Sequence, residues 1–214
     1  MHPAEKFYSL VTATTIAIMF LSITLIVPLI VDLSPSSKAL GSLVAILSSI
    51  GVYRIISQIA AMVIHNVVWM RKWIFGGSYL HGTWVGYFIG RNNNKRYTVE
   101  HFDQDLDGII INGQSRDTEQ KPHAEWTSIS VSLDRRTGRL IYSYALNILS
   151  RQGTAIGINN SQLERTSHRS SAKTFAGHTQ DLGEQSRLQL TGVKISDELL
   201  PWKYAFECAR KKFP

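Results

Sequence analysis

The feature that most constrains this chain is its uneven distribution of charge. Five of the 23 basic and two of the 16 acidic residues precede residue 76: Glu5, Lys6, Asp32, Lys38, Arg54, Arg71 and Lys72. The other 18 and 14 all follow, so the formal charge of +7 divides into +3 and +4. Residues 8–31, YSLVTATTIAIMFLSITLIVPLIV, carry no charge. A helix of that length, at ~1.5 Å per residue, crosses a hydrocarbon core of ~30 Å. A cleaved signal peptide is the competing reading, but the run is too long for a signal's apolar region and no clear A-x-A site follows. The next residues, DLSPSSK, turn the chain and cap a new helix. A second apolar run then extends from 39 to 70.

That second run, roughly 48 Å as one helix, is too long for a perpendicular span. It either crosses near 39–61 and emerges as a stalk, or tilts. It also holds Arg54, for which two readings stand: a contact between helices in an oligomer, or a side chain that snorkels to the interface. Gly41, Ser42, Ser48, Ser49 and Gly51 offer small surfaces for close helix packing, and hairpin packing of the two helices explains them equally. Lys6 before the first span and Arg71-Lys72 after the second place the N-terminus and the C-terminal portion on the cytoplasmic side. Trp69 and Trp73 suit an interfacial aromatic belt.

The chain therefore divides into a two-helix membrane anchor, residues 1–75, and a domain over 76–214, where the hydrophobic period changes from helical to two. Strands are expected at about 80–90, 96–103, 108–115, 124–134 and 139–148, with weaker ones near 154–164, 173–180 and 187–195. Turn chemistry such as RNNNK, DLDG, DRRTG and DLGEQ separates them. About eight short, hairpin-connected strands make an all-β fold, an antiparallel barrel or sandwich. In the fourth, Thr127, Ile129, Val131 and Leu133 alternate with Trp126, Ser128, Ser130 and Ser132.

One stretch, DQDLDGIIINGQ at 103–114, imitates a calcium loop. The imitation fails at the twelfth position, where an EF-hand places a bidentate glutamate and this chain has Gln114. Its flanks, RYTVEHF and IIINGQS, are of strand composition rather than helical, so DLDG reads as a hairpin turn. The seven histidines, at 2, 65, 81, 101, 123, 168 and 178, offer no metal-ligand pair better than His81 and His101 across a hairpin. No P-loop, G-x-S-x-G or H-E-x-x-H motif is present, the lone Cys208 excludes an internal disulfide, and nothing calls for a cofactor or points to an enzyme.

Two spans, a basic junction and then GTWVGY at 82–87, HFDQDLDGIIINGQSRD at 101–117, EWTSISVSLD at 125–134 and RLIYSYAL at 139–146 together resemble one protein family. These are the two-transmembrane, β-strand-rich effectors of bacterial cyclic-oligonucleotide antiphage signalling (CBASS). The resemblance covers essentially the whole chain and rests on order and architecture. It implies a lipocalin-like barrel of about eight strands that binds a cyclic dinucleotide made by a partner nucleotidyltransferase. Binding then drives homo-oligomerisation and disruption of the inner membrane, which kills the infected cell. It also implies that Trp84 plugs one barrel end.

A cyclic dinucleotide asks for aromatic platforms, amide or hydroxyl partners and an arginine for phosphate. The third strand offers Asn112, Gln114 and Arg116 on one face; the fourth and fifth offer Trp126, Ser128, Tyr142 and Tyr144; His178 and Asp181 lie near a rim. Tyr142 and Tyr144 serve equally well as core, and Arg116 as a solvated charge. A tethered barrel for lipid or another small hydrophobe is the alternative, and a channel subunit the third. The inward face of the fourth strand separates the first two: Thr127, Ile129, Val131 and Leu133 favour lipid, Trp126 and Ser128 with Tyr142 and Tyr144 favour nucleotide.

Overall fold

A computed structural model describes residues 3–26, 35–90, 93–149, 153–167, 170–183 and 187–214. Asp32, Leu33 and Ser34 of the DLSPSSK connection, His2, His168 and parts of the RNNNK and DLGEQ turns lie outside the described residues. The chain forms two compact units, Met1–Phe75 and Gly76–Pro214.

The first unit is helical: α1 (Pro3–Ile26), α2 (Pro35–Asn66) and α3 (Val68–Phe75). Within α1, Pro3–Ser22 is long and apolar enough to cross a bilayer. Ile50–Asn66 passes the same test only in combination with the helical segment that follows, from which it is bent by 103°. Phe7 and Val11 of α1 and Ile64 of α2 are buried, whereas Ile16, Phe20, Ile59 and Met62 stand exposed. Arg54 is exposed on α2.

The second unit is a closed antiparallel barrel of eight strands in sequence order. Its strands are β1 (Gly82–Ile89), β2 (Lys95–Gln104), β3 (Ile109–Arg116), β4 (Pro122–Asp134), β5 (Arg139–Ile148), β6 (Gly153–Glu164), β7 (Thr174–Asp181) and β8 (Leu188–Ser196). The DLDG turn between β2 and β3 is held by Asp105, whose Oδ1 accepts from the backbone N–H of Asp107 and Gly108, both at 2.9 Å. This is the turn role for which short acidic side chains are suited.

One end of the barrel is packed shut. Trp84 is 1% exposed, its indole donates to Leu80 O at 2.9 Å, and it packs on Phe102 and Phe175 with ring centroids at 5.3 and 5.5 Å. Ile111, Leu140 and Leu163 complete this half. Gln104 fastens the incoming chain, accepting from Leu80 N at 2.7 Å and donating to Ser78 O at 2.9 Å.

Two features depart from the sequence reading. The alternation of β4 is broken by a bulge between Ser128 and Ser130. Before it Ala124 and Trp126 face inward; beyond it Val131 and Leu133 pack on the interior cluster while Ile129 is 61% exposed. The extra residue shifts the phase of the pleat by one, so the two faces exchange. Second, a C-terminal helix, α4 (Trp202–Lys212), follows the last strand. Its Ala205, Phe206 and Ala209 cover Val85, Tyr97 and Val99 on the outer face of β1 and β2.

Inside, aromatic rings lie across glycines of the neighbouring strand. Trp126 pairs with Gly113 and Tyr144 with Gly157. A Cβ on Gly113 would stand 2.0 Å from the indole, and one on Gly157 2.3 Å from the Tyr144 ring. Both rings need that space. Gly113→Ala and Gly157→Ala are each expected to cost about 1–3 kcal/mol, the usual penalty of an overpacked interior, measured as a lower midpoint in near-UV circular dichroism melts of the full chain.

Candidate functional site

The barrel interior is solid only in its shut half. Towards the other end it opens as a cavity of about 370 Å³, near the lower end of the ~300–1,000 Å³ typical of small-molecule sites. Strand register sets its depth. Glu100, Trp126, Tyr142 and Asn159 form the floor; Thr98, Ser115, Tyr144 and Thr179 form part of the wall; Arg96, His123 and Asp181 stand near the mouth.

The floor is organised around Glu100, which is 2% exposed. Its Oε1 accepts from the Tyr142 hydroxyl at 2.6 Å and from the Trp126 indole at 3.3 Å. Burial pushes its carboxyl up to about 7, although both hydrogen bonds pull the other way. Burial and the adjacent carboxyl raise the Tyr142 phenol well above its ordinary value, so that it remains a donor. Nearer the mouth, Tyr144 Oη lies 2.5 Å from Thr179 Oγ1 and donates to Asp181 Oδ1 at 2.9 Å. Burial lowers the Arg96 guanidinium from its ordinary value, with Asp117 opposing the shift; the side chain is still a strong cation.

Two further groups are left over. Ser115 Oγ and Asn159 Nδ2 are buried with no hydrogen-bond partner among the described residues. Asn159 Oδ1 accepts from Ser161 Oγ at 2.7 Å, which fixes the amide and leaves its NH₂ unmatched. An orphaned buried polar group costs about 1–3 kcal/mol, so both groups work against the stability of the barrel as it stands.

The nine residues expected at the site do not converge on it. Trp126, Tyr142, Tyr144 and Asp181 line the cavity. Ser128 sits at the bulge, where its Oγ accepts from Ile111 N at 2.9 Å, replacing a ladder bond. Asn112, Gln114 and Arg116 are on the outward phase of β3: Asn112 accepts from Thr127 Oγ1 at 2.9 Å, and Arg116 lies 4.5 Å from the centre of the Phe206 ring on α4. His178, paired with Asn160 and Gln189, alternates with the inward Thr179 and also faces out. Asn112 and Gln114 line a wider depression of about 1,100 Å³ on the outer face of β3–β6. That depression is open, and its Asn147 and Glu125 already pair with each other at 3.2 Å.

Sequence reasoning missed Arg96, Glu100, Ser115 and Asn159. The available signal was a glutamate sharing its strand face with Phe102, since a charge in phase with a core aromatic needs a buried partner. Among the described residues no cluster of three or more metal-ligating side chains is present.

Glu100 makes the barrel's stability depend on pH. Its folded value lies above the model-peptide 4.5, so its contribution to stability is present below pH 4.5 and is lost as pH rises through 7. Glu100→Gln is therefore expected to match the wild type near pH 4.5 and to be more stable above pH 7, by at most about 3 kcal/mol. Denaturant melts across that range check this. No known protein family, curated protein or solved structure was found to match the chain.

Proposed function

We propose that this chain is a membrane-anchored receptor whose barrel binds a cyclic dinucleotide through its open end, and whose helices carry the response. The observation that supports it best is the half-open lumen. Trp126, Tyr142 and Tyr144 offer aromatic surfaces, Thr98, Glu100 and Thr179 offer hydrogen-bonding groups, and Arg96 and His123 offer positive or protonatable groups where a phosphate would lie. A lipid carrier would need an open lumen that is apolar throughout. Here Phe88, Leu146, Ile148, Leu188 and Leu190 share the open part with Arg96, Thr98, Glu100, Thr179 and Asp181, while Val131 and Leu133, turned inward by the bulge, belong to the filled half.

The response side of the proposal is a CBASS effector. A partner nucleotidyltransferase supplies the ligand, the chains associate, and the inner membrane is disrupted. In support stand the apolar Pro3–Ser22 stretch, the large apolar side chains left exposed on α1 and α2, and the basic residues Lys6, Arg71 and Lys72, whose bias favours a cytoplasmic side for residues 76–214. The coupling is linkage: a ligand shifts assembly only by its preference for the assembled form. Confinement to a bilayer raises the effective concentration of the helices.

The test is calorimetry on the detergent-solubilised full chain with cyclic di-guanylate, di-adenylate and di-uridylate, followed by sedimentation. At least one is expected to bind and to increase the sedimenting mass; failure of all three to bind overturns the proposal. Trp126→Ala is expected to weaken binding. Arg96→Ala should weaken it about tenfold or more, the scale of a lost charge-assisted contact. Arg116→Ala, on the outer face, should leave affinity unchanged.

A further inference from the structure

The cavity floor does more than bound a volume, because the hydrogen bonds of Glu100 are divided unequally between its two oxygens. Tyr142 and Trp126 both donate to Oε1, and among the described residues Oε2 has no hydrogen-bond partner. The two donors fix the orientation of the carboxyl group, and Gly113, on which Trp126 lies, keeps the indole in place. Glu100 thus supplies a fixed acceptor among Tyr142, Tyr144 and Trp126, all of which line the cavity, the setting for a flat, nitrogen-bearing ring.

We infer that Glu100 Oε2 reads an N–H on a single base seated on this floor, so that specificity is set by one base of the ligand and not by both. This rests on the nucleotide-binding reading of the lumen. The cavity volume of about 370 Å³ has room for one nucleoside half of a cyclic dinucleotide and not for the whole macrocycle, which leaves the second base at the mouth. A site built to hydrogen-bond a group rejects an analogue lacking it far more strongly than an apolar pocket rejects a missing methylene, because its own buried partners are then left unpaired. The other titratable or charged groups at this cavity are Arg96, His123, Tyr142, Tyr144 and Asp181. Of these, Tyr142 contacts Glu100 directly.

The same geometry predicts what Glu100→Gln does. Because Tyr142 and Trp126 both need an acceptor, the amide oxygen must take the Oε1 position and the NH₂ must point into the lumen. A reader of N–H then becomes a group that offers one. The experiment measures four affinities at pH 8, where the wild-type carboxyl is largely ionised. The two proteins are the full-length wild type and Glu100→Gln. The two ligands are the tightest binder among cyclic di-guanylate, di-adenylate and di-uridylate, and the same compound with its base N–H groups methylated.

Methylation is expected to cost the wild type at least tenfold and Glu100→Gln little, a non-additive cycle. Equal losses in the two proteins overturn the inference, and if Trp126→Ala still weakens binding, the lumen site itself stands. Absence of binding by the wild type to any of the three overturns the nucleotide reading, and the inference with it. Should Glu100→Gln not fold, the wild type alone decides through hybrid ligands. Methylating the base of either half must cost the same in a symmetric ligand, but in a mixed guanylate–adenylate ligand only one of the two positions is expected to matter. Sensitivity at both overturns single-base reading.

Discussion

The architecture follows from the geometry of closing eight strands. A barrel of that number has an interior just wide enough for side chains to fill it or for one small guest to lie among them. The choice between the two is made position by position along each strand. In this barrel it is made differently at the two ends. Trp84, Phe102, Ile111, Leu140, Leu163 and Phe175 fill one half. The other half presents Thr98, Ser115 and Thr179, with glycines beneath its rings, and leaves room. The closed ladder also removes free strand edges, so whatever the protein recognises through this unit meets either the lumen or the outer surface.

The number, order and approximate limits of the strands could be read from the sequence, because turn residues and period-two alternation are local signals. The face each strand presents was less legible, for two physical reasons. In β4 the bulge at Ser128–Ser130 inserts one residue, and a period-two pattern has no means of marking where its phase slips. In β1 and β2 both faces are buried, one by the lumen and one by α4, so Val85, Tyr97 and Val99 look as much like core as Trp84 and Phe102. Glu100 lay within a strand whose inward face could not be identified. The helix α4 was not anticipated, although Trp202, Ala205, Phe206 and Ala209 recur at helical spacing after Pro201, which suits a helix start.

The outward position of Asn112, Gln114 and Arg116 shows how a chemically suitable set can be assembled on the outer side of a wall. Amides and an arginine at alternate positions satisfy the composition of a nucleotide site, but alternation says only that they share a face. What decides the face is the residue between them. Ile111, Gly113 and Ser115 include one core aliphatic and one glycine that accommodates a cross-strand indole. In-strand glycines opposite aromatic residues therefore mark the interior better than the polar residues do, because only a buried ring needs the missing side chain.

These features have a common energetic direction. A carboxyl pushed up to about 7, a hydroxyl without a partner and an amide whose NH₂ is unmatched all raise the free energy of the barrel with its cavity as it stands. None of them is needed to close eight strands, and apolar residues of similar size would serve the fold better. On the proposed reading, a guest that supplied matching groups would recover part of that cost, so its affinity would be drawn in part from free energy already stored in the barrel. A linked change in the helices would be limited to the guest's difference in affinity between the two states they can adopt. Unsatisfied groups in the lumen raise the affinity for a matching polar guest, but they add to that difference only where the lumen itself differs between the two states.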